Sequence, residues 1–101
     1  MTAPLLLLAL LQNAGAADPA YSRDGRLVVS IRGDLWIRAP GDERWIPGTQ
    51  GPSWDWEATW DPDGASIVFV SDRSGNPDLW RLRIGPEGAQ GEPERLTDSP
   101  E

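Results

Sequence analysis

Apolar residues fall in short runs along the chain, and each run is closed by Gly, Pro, Asp or Ser. Leu27 to Arg32 is almost continuously apolar, as expected for a strand covered on both faces. Asp34 to Ala39 alternates, with Leu35 and Ile37 against Trp36 and Arg38. Glu43 to Ile46 reads as a short outer strand ended by Pro47-Gly48, and Pro19 to Ser22 as a short first strand. The order then returns. Glu57 to Trp60, Ser66 to Ser71 and Asp78 to Ile84 are predicted strands, with Gly85 to Gly91 a loop and Glu94 to Leu96 an outer strand. In Asp78 to Ile84, Leu79, Arg81 and Arg83 take one face, and Trp80, Leu82 and Ile84 the other.

The two series say the same thing. Tyr21 precedes Asp24-Gly25, an apolar strand and Asp34-Leu35-Trp36; Trp60 precedes Asp63-Gly64, an apolar strand and Asp78-Leu79-Trp80. A period of about 40 residues built of strands and turns predicts stacked β units, most simply propeller blades. The fold expected is therefore all-β, with two four-stranded antiparallel blades forming a partial, open propeller. Residues 18–48 make the first blade, and 49–101 the second and the start of the next. Thr97-Asp98-Ser99-Pro100 stands after the second unit where Thr49-Gln50-Gly51-Pro52 stands after the first. On this reading the chain is the N-terminal part of a longer protein. It needs further blades or self-association, because a single sheet of this kind leaves apolar faces and edges open.

The turn residues have structural reasons. Asp24 and Asp63 suit side-chain capping of a turn, and Gly25 and Gly64 suit its positive-φ position. Pro62 fits the second position of a β-turn, and Gly75 or Asn76 the positive φ of a longer hairpin loop. Tyr21, Trp36, Trp60 and Trp80 repeat in register and read as packing residues. Trp54 and Trp56 lie between the units; they either pack against the neighbouring blade or offer an interaction surface.

The N-terminus is different. Leu5 to Leu11 is a short apolar run followed by the small residues Ala14 to Ala17. Residues 1–17 read as a helical signal peptide, too short for the roughly 20 residues of a membrane-spanning helix. Export to the periplasm or beyond is the expectation, with no membrane span once the leader is cleaved. The chain carries 16 Asp and Glu against nine Arg, no Lys, and a net charge of −7. That acidity argues against nucleic acid as a partner, since phosphate binding needs a basic face.

Ala58 to Trp80, with Trp-Asp-Pro-Asp-Gly, Ser-Asp-Arg-Ser-Gly-Asn and Asp-Leu-Trp in order, resembles the repeat of TolB-type β-propellers, as does Arg95-Leu96-Thr97. The first unit is similar but has Ser22-Arg23 for Ser-Pro and the short Arg32-Gly33 for the longer loop. The resemblance implies blades of an exported bacterial protein. It does not imply one function: such blades are similar to those of the periplasmic protein that works with an envelope-spanning Tol–Pal system. They also precede hydrolase domains of prolyl-oligopeptidase-like, tricorn-like and amidohydrolase type.

Catalytic chemistry finds little here. The absence of His and Cys excludes His-based triads, His metal sites and Cys nucleophiles within this chain. No Gly-x-Ser-x-Gly elbow occurs. Asp61-x-Asp63-Gly64 lacks the ligand number of a calcium loop and reads as a turn. Asp55 and Glu57 would share a face if that segment is extended. The expectation is a non-catalytic scaffold for protein or peptide, without cofactor. The alternative is the N-terminal propeller of an exported hydrolase whose catalytic domain lies elsewhere. A nucleophile elbow or His cluster encoded downstream distinguishes the second from the first.

Overall fold

A computed structural model describes residues 16–98. They form eight strands and no helix. Strands β1 (Ala16–Tyr21), β2 (Leu27–Ile31), β3 (Asp34–Arg38) and β4 (Ile46–Pro47) make one four-stranded antiparallel sheet in chain order. Strands β5 (Asp55–Trp60), β6 (Ser66–Ser71), β7 (Asp78–Gly85) and β8 (Gly88–Arg95) make a second of the same topology. The signal-peptide helix expected over residues 1–17 lies, for residues 1–15, outside the described residues. Strand β1 takes in Ala16 and Ala17, so pairing starts three residues before the expected Pro19.

Local chemistry explains the strand ends. Ser22 and Asp61 each accept, through the backbone carbonyl, the N–H of the glycine three residues on, at 3.1 and 2.8 Å. Those glycines, Gly25 and Gly64, have φ of 91° and 73°, where a β-carbon is unfavourable. In the second turn Asp63 Oδ1 also accepts the Ala65 N–H at 2.9 Å. Gly75 closes the turn after β6 with φ 104° and an N–H bonded to the Asp72 carbonyl.

The last strand departs from expectation. The sequence predicts a loop over Gly85 to Gly91, but only Pro86 and Glu87 turn, and β8 begins at Gly88. Gly88 pairs with Gly85 at φ 116°, a conformation that lets a two-residue connection close. Pro93 is tolerated because the ladder is irregular there: between Arg81 and Arg83 the partner strand bulges from Glu94 to Gln90. Strand β4 is shorter than expected and includes Pro47, an edge position where a missing N–H costs no ladder bond.

The core lies between the sheets. Val28, Leu35 and Ile37 of the first meet Trp60, Ile67, Phe69, Leu82 and Ile84 of the second in one buried cluster. The registers show which faces these are. Trp60 pairs with Ile67 and Phe69 with Trp80; Tyr21 pairs with Leu27 and Val29 with Trp36. The face of the second sheet that meets the first therefore corresponds to the face of the first that carries Leu27, Val29 and Trp36. That face points the other way. The sheets stack head to tail, like against unlike, the arrangement that repeats indefinitely or closes into a ring.

Polar clips at the turn end of the strands help to hold the stack. The Trp60 indole N–H donates to the Ala20 carbonyl at 3.1 Å. Arg26 donates to the Gly64 carbonyl, and its guanidinium lies 4.5 Å from the centre of the Trp60 ring. Trp60 is 9% exposed, whereas its counterpart Tyr21 is 47% exposed. Trp60 lies on the side of its sheet that meets the first, and Tyr21 on the side of its own that points away.

Phe69 is fully buried at the centre of this interface. Phe69→Ala is expected to cost about 3–5 kcal/mol, the range for large-to-small core replacements. Urea unfolding followed by tryptophan fluorescence measures it, with the midpoint falling at unchanged slope.

Candidate binding cleft at the sheet seam

The seam begins at two equivalent irregularities. Strand β1 is bulged between Ala17 and Ala20, and β5 between Trp56 and Thr59. Each bulge holds a carboxylic residue in the left-handed region, Asp18 at φ 56° and Glu57 at φ 55°. The bulges stack, since Asp18 Oδ2 accepts the Glu57 N–H at 3.1 Å. The bulge also corrects the expected Asp55/Glu57 pairing. An extra residue shifts the alternation, so Asp55 is buried while Glu57 is exposed.

Beside the bulges is a cleft of about 320 Å³ walled by Asp18, Ser30, Arg32, Gly33, Trp54 and Trp56. Arg32 and Gly33 form the two-residue turn between β2 and β3, both at positive φ, 52° and 88°. That is the type I′ pattern of tight hairpins. Arginine is unfavourable at such a φ, costing on the order of 1 kcal/mol. The Arg32 side chain is exposed and makes no ion pair among the described residues.

Trp54 lies across Gly33. A β-carbon on Gly33 would stand 2.7 Å from Trp54 Cε3, so both the backbone conformation and the ring require glycine. The Trp54 backbone is gripped by the hairpin loop after β6: its N–H donates to Asp72 Oδ1 at 2.8 Å, and its carbonyl accepts the Asp72 N–H at 3.3 Å. The next residue is held harder. Asp55, 1% exposed, takes an ion pair from Arg73 Nη2 at 3.0 Å. Its N–H reaches the Gly33 carbonyl at 2.8 Å, and its own carbonyl accepts from Ser30 Oγ at 2.6 Å. Arg73 in turn bonds Ser71 Oγ and lies over the Phe69 and Trp80 rings, at 5.5 and 5.3 Å. Beneath that layer the buried Trp80 indole nitrogen has no hydrogen-bond partner among the described residues. Trp54 itself is 53% exposed and Trp56 half-buried. The backbone of the cleft is tied down by these bonds, while the Trp54 ring is open to solvent.

Of the residues singled out from sequence, Trp54 and Trp56 are brought together here. Asp24, Gly25, Asp63, Gly64 and Gly75 sit in turns away from the cleft, while Trp36, Trp60 and Trp80 belong to the sheets. Sequence reasoning misses Arg32 and Asp18. Their one signal is the shortness of the Arg32-Gly33 turn against the 72–77 loop of the second unit.

Asp34 marks another break in the repeat. Its counterpart Asp78 accepts from Arg95 Nη2 at 2.7 Å and Thr97 Oγ1 at 2.9 Å. The residue in the register position of Arg95 is, in the first sheet, Pro47. Without that arginine, burial, and after it the Asp55 charge, push the Asp34 carboxyl above its ordinary pKa. A raised folded-state pKa means stability present at pH below the unfolded value and lost as pH rises through the folded one.

Among the described residues no three His, Cys, Asp or Glu gather as a metal site, and no helix is long and apolar enough to cross a membrane. No protein-family model matches the chain. The chain is similar to a Bacillus subtilis (strain 168) protein named "Uncharacterized peptidase YuxL", with 32% identity over 95 residues. The match takes in 82% of this chain and spans 14% of the relative's length.

Arg73→Met strands the buried Asp55 charge and is expected to cost about 2–3 kcal/mol, moderated because water reaches Arg73. Arg73→Met combined with Asp55→Asn is expected to cost less than Arg73→Met alone, since no unpaired charge remains. Chemical denaturation of the three proteins makes the comparison. Asp34→Asn is expected to remove the loss of stability that Asp34 contributes as pH rises through its folded pKa, read from thermal midpoints across the acid range.

Proposed function

We propose that the two sheets are consecutive blades of a β-propeller of TolB type. In this reading they form the non-catalytic peptide-recognition part of an exported hydrolase of peptidase class, with the apolar N-terminal segment ahead of β1 its cleaved leader. The observation that carries this reading is the seam cleft. An exposed Trp54, a half-buried Trp56 and an arginine with no ion-pair partner among the described residues stand on a backbone fixed by Asp55, Arg73 and Asp72. Indole faces take apolar side chains, and a guanidinium takes a carboxylate bidentately. A short peptide bearing a carboxylate supplies both. A volume of about 320 Å³ holds one or two residues of it. Head-to-tail packing of the sheets supports the propeller reading. The word "peptidase" in the relative's name supports the reaction class of a longer protein, whose chemistry would lie outside this chain.

A self-sufficient scaffold of the same blades, binding a protein partner, is the second reading. The acidic, His-free and Cys-free composition favours it as far as this chain alone is concerned. The sequence encoded downstream separates the two: a nucleophile elbow or a His cluster belongs only to the hydrolase.

Short apolar peptides with a free C-terminal carboxylate are expected to quench tryptophan fluorescence on titration. Their C-terminal amides are expected to bind at least roughly tenfold more weakly, the equivalent of one charge-assisted hydrogen bond. Arg32→Asn separates fold from function. It relieves the strained turn, raising stability by about 0.5–1 kcal/mol, and abolishes the preference for the carboxylate. Equal binding of acid and amide by the unaltered chain would remove Arg32 from the site, and no binding by either would remove the cleft.

A further inference from the structure

The seam cleft is lined by two opposite charges that do not pair. Arg32 and Asp18 both wall it, and both are exposed. Neither forms an ion pair among the described residues, with the other or with a third group. Elsewhere an exposed acid and base do pair when the strands bring them together, as Arg81 and Glu94 do across β7 and β8 at 3.3 Å. In the cleft the strands hold them apart. Asp18 follows Ala17, which pairs with Ser30, and Arg32 lies two residues beyond Ser30 in the opposite direction. At a rise of about 3.3 Å per residue, the two backbone positions are roughly 7–10 Å apart along the strands. Both residues are fixed in the left-handed region, at φ 56° and 52°. Asp18 Oδ2 is held by the Glu57 N–H at 3.1 Å, and Oδ1 makes no hydrogen bond among the described residues.

An anion alone is a poor occupant of this cleft. Held at Arg32, it stands near the Asp18 carboxylate in a chain of net charge −7, and like charges repel. A cation alone meets the converse at Arg32. A ligand that carries both charges turns each repulsion into an attraction. The distance between the two charges then sets its length. An extended dipeptide spans about 7 Å and a single amino acid about half of that. With a hydrogen bond at each end, the dipeptide matches the separation of Asp18 and Arg32. The volume of about 320 Å³ agrees with two residues, and the exposed Trp54 ring offers a surface to an apolar side chain or to the ammonium. We infer that the cleft takes a free apolar dipeptide as a zwitterion, its carboxylate at Arg32 and its α-ammonium at Asp18. This rests on the peptide-recognition reading above and narrows it, from any short peptide with a carboxylate to one with both ends free and two residues apart. Asp18 is the residue that selects the free amino end.

The test titrates the full chain with leucyl-leucine and follows tryptophan fluorescence. Two analogues each delete one charge: 4-methylpentanoyl-leucine has hydrogen in place of the ammonium, and leucyl-leucine amide lacks the carboxylate. Leucyl-leucine is expected to bind at least about tenfold more tightly than either, the worth of one charge-assisted contact at each end. Leucine, with its ends too close, and trileucine, with its ends too far apart, are expected to bind more weakly than the dipeptide. Asp18→Asn keeps an oxygen acceptor for the Glu57 N–H and a residue type that tolerates φ 56°. It is expected to abolish the preference for leucyl-leucine over 4-methylpentanoyl-leucine and to keep the preference over the amide. Arg32→Asn is expected to do the reverse. Equal binding of leucyl-leucine and 4-methylpentanoyl-leucine by the unaltered chain would overturn the inference, and weaker binding of the amide in that case would leave the carboxylate reading standing. A preference for the free amine that survives in Asp18→Asn would assign the ammonium to another acceptor and overturn it also. Binding of none of these ligands would overturn both the inference and the cleft reading. The ligand series on the unaltered chain decides the matter even where a variant fails to fold.

Discussion

Everything in this structure depends on one constraint: a twisted four-stranded sheet with apolar residues on both faces has to be covered on both. Strand β2 shows it most plainly, since Val28 and Val29 point to opposite faces and both are buried. A sheet that met its partner like to like would bury one face and end there. These sheets meet unlike to unlike, through Val28, Leu35 and Ile37 on one side and Phe69, Trp60 and Leu82 on the other. The geometry is open-ended, so each interface leaves the next one specified.

Within that stack, the polar groups fix register more than they add stability. The Asp55–Arg73 pair is nearly dry on the carboxylate side, and a buried pair gains little over a well-packed apolar one. What it does is join three pieces of chain. Arg73 comes from the hairpin loop, Asp55 from the start of β5, and the Asp55 N–H ends on Gly33 of the first sheet. A slip of β5 by one residue would bring Trp54 or Trp56 to the buried position and leave the charge outside. The Asp-Gly turns act similarly at the opposite end of the strands, where Arg26 crosses from the first turn to the second.

Much of this is legible in the sequence, for a physical reason. Turns with positive φ accept few residue types, and apolar runs between them set strand length, so Asp24-Gly25, Asp63-Gly64 and the six-residue run of β6 announce themselves. The failures share a cause as well. Gly85 to Gly91 looks like a loop because glycine and proline are read as breakers, yet at an edge strand with a bulge they cost little. The bulge in β5 leaves no compositional mark; Glu57 carries a conformation usually given to glycine. Period-2 reasoning across it therefore puts Asp55 and Glu57 on one face when one is buried and the other exposed. Trp54 and Trp56 stand out as aromatics between units, but Arg32 and Asp18 become part of a cleft only when two non-adjacent strands meet.

The cleft arises where the repeat is imperfect. In the second unit six residues, 72–77, connect the paired strands; in the first, Arg32-Gly33 does it alone. A longer loop at that point would occupy the space above Gly33 in which the Trp54 ring lies. Shortening the turn therefore does three things at once. It exposes a tryptophan whose backbone is otherwise fully anchored, sets an arginine in a strained conformation beside it, and opens the volume between them. Strain and an exposed aromatic are both costs to a folded chain. The well-matched repeat elements stabilise the stack and are shared by both units. Arg32 and the exposed ring of Trp54, both set by that shortened turn, carry a cost without evident stabilisation, which is the reason for assigning function to them and not to the motif that first draws the eye.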